Sequence, residues 1–224
     1  MERDRRARVI AIVALLVGVV GLSLGFAAIT NTLTIQSSAE VTVDSSKFNV
    51  DFSSQAGSVV DGTVTPSVTP ATNGPTGANA TISNATAGAP TITGLHATFT
   101  EPGQKVTYSF YTKNAGELAA YITNVAFAEV TTGATKTCTA KSGTTQSLVT
   151  QACSGITLTL TLGSESFTST TARNAFTTAT AHDLAVSASE AVTVEIEYAS
   201  GSAQADGDFD VAFGDITLEY SSVA

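Results

Sequence analysis

Ile156-Thr-Leu-Thr-Leu-Thr-Leu162 alternates apolar and polar side chains without a break. A period of two marks a β-strand with one buried face, because successive side chains leave opposite faces of the pleat. The pattern recurs on both sides of this stretch. Upstream, Val106, Tyr108 and Phe110 alternate with Lys105, Thr107 and Ser109, and Tyr121–Val130 is apolar and β-prone. Downstream, Val192, Val194, Ile196 and Tyr198 alternate with Thr193, Glu195 and Glu197; Phe209, Val211 and Phe213, then Ile216, Leu218 and Tyr220, continue to the end. So many one-sided strands bury their apolar faces most economically in two facing sheets. The expectation is an all-β chain, an antiparallel β-sandwich or jelly roll whose main body is residues 95–224.

Composition agrees. The 224 residues include 37 Thr and 18 Gly but no Trp, and only 13% are charged. Long soluble helices need more Glu, Lys, Arg and Leu than this. Pro102-Gly103, Asn114-Ala115-Gly116 and Phe213-Gly214-Asp215 supply turns or bulges. Residues 54–94 differ: Pro66, Pro70, Pro75 and Pro90 lie among Ser, Thr, Ala, Asn and Gly. That stretch reads as a loop or insertion with one or two short strands. The one segment with room for a helix is Thr171–Leu184, against its β-branched content, and no internal repeat is visible.

The chain opens with a basic head, Arg3, Arg5, Arg6 and Arg8, followed by an uncharged apolar run from Val9 to Ile29. This is a signal peptide or signal anchor with its basic end held in the cytoplasm. Residues 9–29 are long enough to span the ~30 Å hydrocarbon core, the only membrane contact expected if they are retained. Gly25-Phe26-Ala27 places small residues where a signal peptidase requires them, so cleavage is expected between Ala27 and Ala28. A type IV prepilin has its processing site before the apolar helix; here the order is reversed. Either way residues 30–224 lie outside the membrane, at the cell surface or in the extracellular space.

Net charge is −9, and the last 43 residues hold nine acids and no Lys or Arg. Without a basic face, nucleic acid is excluded as a partner. Cys138 and Cys153 form an even pair in an exported chain, expected as a disulfide worth about 3 kcal/mol in the chain-entropy model. Free buried thiols are the alternative, and zinc lacks further ligands at finger spacing.

Enzyme signatures are scarce, and no catalytic or cofactor-binding residue is assigned. His96 and His182 stand far apart with no His-Glu-x-x-His helix, nucleophile elbow or phosphate loop. Asp206-Gly-Asp208-Phe-Asp210 is the one weak calcium candidate, because hard cations want alternating carboxylates. Val211 and Thr217 stand where an EF-hand needs Gly and Glu, so the competing reading is a solvated turn. Asn79-Ala-Thr and Asn84-Ala-Thr match the N-glycosylation sequon in a stretch where chance matches are common.

The remaining feature is Ala28–Gln36. Ile29, Asn31, Leu33 and Ile35 alternate with Thr30, Thr32 and Thr34, a short strand at the new N-terminus. Such a strand pairs within its own body or fills an open sheet edge in the next subunit. The second arrangement is head-to-tail and builds filaments. Residues 28–53 are therefore read as N-terminal strands that include a candidate donor strand.

Phe99-Thr-Glu-Pro-Gly-Gln-Lys-Val-Thr-Tyr-Ser-Phe-Tyr-Thr-Lys-Asn-Ala-Gly116, the small-residue site before a Thr-rich strand, and Phe213-Gly-Asp-Ile-Thr-Leu-Glu-Tyr220 resemble the TasA/camelysin group of exported bacterial proteins. The resemblance covers about 45 residues of this chain. It implies a jelly-roll subunit of matrix or surface fibres that joins its own copies by N-terminal strand donation after processing by a dedicated signal peptidase. The protease label carried by camelysin finds no motif here. The competing expectation is a membrane-anchored monomeric β-sandwich that binds a ligand or surface. Sequencing the N-terminus of the protein recovered from culture medium should read Ala28 first; an intact Met1 in the membrane fraction would mean that the anchor is kept.

Overall fold

A computed structural model describes residues 47–53, 61–168, 173–175 and 183–222. The chain divides into two units, Met1–Thr42 and Val43–Ala224, and all described residues belong to the second. In chain order the elements are β1 (Val50–Ser53), β2 (Gly62–Thr63), β3 (Pro66–Thr69), β4 (Thr76–Ser83), β5 (Thr91–Phe99), β6 (Lys105–Asn114), β7 (Ala120–Phe127), β8 (Lys136–Ala140), α1 (Gln146–Cys153), β9 (Ile156–Leu162), β10 (Glu165–Thr168), β11 (Arg173–Ala175), β12 (Asp183–Leu184), β13 (Ser189–Tyr198), β14 (Phe209–Phe213) and β15 (Ile216–Ser222). Among the described residues the chain is all-β apart from one short helix, and its named strand pairs are antiparallel.

One sheet has the order β1-β6-β13-β9-β10, with β3 also on β6. β1 and β3 lie end to end along the same edge of β6, pairing with Tyr111–Asn114 and Lys105–Tyr108 respectively. The second sheet runs β11-β7-β15-β5-β14-β8, with β12 on β7 and β4 on β5, and β2 on β4. β14 and β15 follow one another along β5 in one register, β14 pairing on its other side with β8 and β15 with β7. Between them Gly214 passes so close to the segment after β7 that a Cβ would lie 2.0 Å from the Ala128 carbonyl oxygen.

Alternation fills the space between the sheets. Ile156, Leu158, Leu160 and Leu162 of β9 and Val192, Val194, Ile196 and Tyr198 of β13 are buried in one cluster with Phe99, Val211 and Leu218 of the other sheet. Tyr198 meets Phe209 and Phe99 across the gap with ring centres 5.5 and 6.2 Å apart, edge to face. The Tyr108 hydroxyl donates to the carbonyls of Asn79 (3.0 Å) and His96 (3.3 Å) on the facing sheet. Burial pushes that hydroxyl's pKa up despite the Asn79 bond. In β5 the phase of the alternation slips at Gly94 (φ +65°), and the pairing with β4 slips there too. Glycine accepts this left-handed bulge conformation, and Ile92 and Leu95 both reach the core as a result.

Two sequence expectations change. Residues 54–94 hold β2, β3, β4 and the start of β5, more regular structure than one or two short strands. β4 escapes a pattern search because its inward residues are Ala78, Ala80 and Ile82, two of them small and with low strand propensity. Within Thr171–Leu184 the described residues form β11 and β12, not a helix, and the helix among the described residues is Gln146–Cys153. Among the described residues, no helix is long and apolar enough to cross a membrane. Replacing Gly214 by Ala should lower stability by roughly 1–3 kcal/mol, since the added methyl meets the Ala128 backbone just after β7. Thr157→Val on the solvent side of β9 should stay within about 0.5 kcal/mol; equal urea midpoints for the two variants would refute the close approach at Gly214.

Candidate functional site

Strand alternation sends Asp210 of β14 to the outer face of its sheet, opposite Thr98 of β5. The Thr98 hydroxyl donates to Asp210 at 2.6 Å, and the Lys141 ammonium reaches the same carboxylate at 3.2 Å. Lys141 also donates to the Thr98 hydroxyl at 3.2 Å. His96 stands 3.7 Å from Asp210 through Nε2, while its Nδ1 bonds the Gly77 carbonyl at 3.1 Å. With Nδ1 donating, Nε2 faces Asp210 as a donor only in the imidazolium form. Burial by itself would raise the Asp210 carboxyl, but the Thr98 hydroxyl, Lys141 and His96 outweigh it and hold it below the usual carboxylate range.

The other two acids of the calcium candidate go elsewhere. Asp206 accepts the Thr145 hydroxyl at 2.6 Å and the Thr145 N–H at 2.8 Å, which depresses its carboxyl pKa. Asp208 accepts the Thr100 hydroxyl at 3.0 Å, and its carbonyl takes the Lys141 N–H and the Thr144 hydroxyl. Asp206, Asp208 and Asp210 thus serve three different partners rather than one centre. No group of three metal-type ligands occurs among the described residues. Asp206 and Asp208 lie exposed in a bend that leads into β14, as the solvated-turn reading expects, and each of the three acids also ties its loop or strand to a Thr.

Cys138 and Cys153 are joined, with Cα atoms 6.0 Å apart. The link holds α1 against β8, where Gln146 adds a second tie. Its side chain accepts the Ala140 N–H at 2.8 Å and donates to the Cys138 carbonyl at 3.1 Å, as a neighbouring strand would. A pocket between them is lined by Lys136, Cys138, Thr150, Cys153 and Ser154. Burial lowers the Lys136 pKa, and its ammonium donates to the Ile156 carbonyl.

Asn84 does the same at β1. Its carbonyl oxygen accepts the Phe52 N–H at 2.6 Å and its amide nitrogen donates to the Phe52 carbonyl at 3.1 Å. The amide that a glycan would occupy at this sequon is thereby engaged, whereas Asn79 is exposed on β4. Gln146, Lys141 and Thr98 carry no motif in the sequence, and Asn84 stands out there only as part of a sequon. Ala27, Ala28, the donor-strand residues Ile29, Asn31, Leu33 and Ile35, and His182 lie outside the described residues.

Comparisons with protein-family models, curated proteins and solved structures give no match to this chain.

Because the folded Asp210 and Asp206 carboxyls sit below their unfolded values, their stabilisation is complete above the unfolded carboxyl pKa of about 3.9 and is lost as pH falls through the folded values. Asp210→Asn should therefore flatten the acid limb of a urea-midpoint against pH curve below about pH 4. An unchanged acid limb would mean that Asp210 is not coupled to folding.

Proposed function

We propose that this protein is an exported, non-enzymatic structural subunit of extracellular or cell-surface fibres, of the biofilm-matrix kind. It assembles head-to-tail with its own copies through the strand carrying Ile29, Asn31, Leu33 and Ile35. The body is a jelly roll made of β5, β6, β7 with β8, β9, β10, β11 with β12, β13, and β14 with β15. In this assignment the sheets run β5-β14/β15-β7/β8-β11/β12 and β6-β13-β9-β10, so the first strand lies beside the last and the second beside the seventh.

The observation that carries the reading is that the eight roll strands all come from residues 91–222. An amphipathic strand at 29–35 is then additional to a complete roll and is available to a neighbour. The length of the apolar run from Val9 to Ile29 favours the second reading, an anchored monomer that binds a ligand or surface.

Electron microscopy of concentrated residues 28–224, beside residues 37–224, separates the two. Filaments should form only from the longer chain. Leu33→Asp should abolish them and leave the monomer folded, since a charge cannot enter an apolar groove unpaired. Compact monomers from both chains, or normal filaments from Leu33→Asp, would remove strand donation.

A further inference from the structure

Among the described residues β8 ends its sheet, and its free side is covered by α1 rather than paired. Its outward Cys138 carbonyl and Ala140 N–H are both taken by the Gln146 side chain. The cover itself is weak. α1 has eight residues, no side-chain cap, no acid in its first turn and no base in its last. It buries only Val149 and Ala152. Isolated helices of this length do not hold in water. Its grip is external: the Cys138–Cys153 link, Gln146, and Asp206 on Thr145.

We propose that the outer edge of β8 is a latent pairing surface for a second copy of this chain, kept shut by α1 and its disulfide. β8 is Lys136-Thr-Cys-Thr-Ala140, with no acid, in a chain of net charge −9. It is the kind of edge two such acidic molecules can bring together without facing like charges. An antiparallel pair centred on Cys138 sets Lys136 against Ala140 and Thr137 against Thr139. The ammonium of Lys136 is occupied by the Ile156 carbonyl and that of neighbouring Lys141 by Asp210. The contact is two-fold and self-complementary, so it closes as a dimer. It is distinct from donation by residues 29–35 and does not rest on it.

A dithiol opens the latch. One of its thiolates attacks a cystine sulfur, its second thiol displaces the mixed disulfide, and the protein gains two electrons and two protons while the dithiol leaves as its own disulfide. The test uses the full chain in mild detergent, carrying Leu33→Asp to take strand donation out of play. With the link intact it should be monomeric, with a protected Ala140 amide. Reduced and dilute, that amide should exchange about 100-fold faster. Raising the concentration should give a dimer in which the amide slows again. Ala140→Pro should abolish the dimer, since proline has no N–H to pair. A reduced protein that stays monomeric, or a dimer indifferent to Ala140→Pro, overturns the proposal.

If reduction unfolds the body, seen as lost protection at Val194 and Tyr108, Gln146→Ala with the link intact decides instead. Faster exchange at Ala140 together with a dimer sensitive to Ala140→Pro supports a latent edge; an unchanged Ala140 rate, or no dimer, refutes it. Failure of the fibre reading shows separately, as absent filaments from the protein with native Leu33 whether the link is open or shut.

Discussion

β13 is paired along both edges, to β6 from Ser189 to Glu197 and to β9 from Val192 to Tyr198. Both registers are set by the same requirement. A slip of one residue would turn Val192, Val194, Ile196 and Tyr198 to solvent and bring Thr193, Glu195 and Glu197 into the core. With β13 fixed, Tyr198 finds Phe99 and Phe209 on the facing sheet. The consecutive strands β14 and β15 are positioned against it, and the outer face carrying Asp210 follows.

Side-chain amides complete what strands leave unpaired. Asn114 is fully buried, and its amide nitrogen donates to the carbonyls of Leu118 and Leu184 while its oxygen accepts the Gly116 N–H. Asn84 and Gln146 each cover a carbonyl and an N–H on a sheet margin. A buried or edge main-chain group must find some partner. Here the partner comes from a carboxamide, which offers a donor and an acceptor side by side, as the neighbouring peptide of a strand does.

Charge has a local role that net charge conceals. Three aspartates close together in sequence serve Thr145, Thr100 and Thr98, three separate ties that bring the 206–210 segment against the start of α1 and the end of β5. Together with the Cys138–Cys153 link, these carboxylate–hydroxyl ties hold the 206–210 segment and the start of α1 in place. The same features leave α1, uncapped and with only Val149 and Ala152 buried, dependent on restraint from outside the helix.

The sequence by itself determined the strands, because alternation reports burial on one face residue by residue. Ile156–Leu162, Lys105–Phe110 and Val192–Tyr198 were legible for that reason, as was the pairing of the two cysteines. It did not determine which strand lies beside which, because partners such as Asp210 and Thr98 are 112 residues apart and local pattern carries no record of them. β4 was hidden by small inward side chains, and α1 by its length, with only Val149 and Ala152 buried. The candidate site was least legible of all. Asn84, Gln146 and Lys141 acquire their roles from which main-chain groups and carboxylates the folded sheets leave within hydrogen-bond reach, and only the tertiary structure decides that.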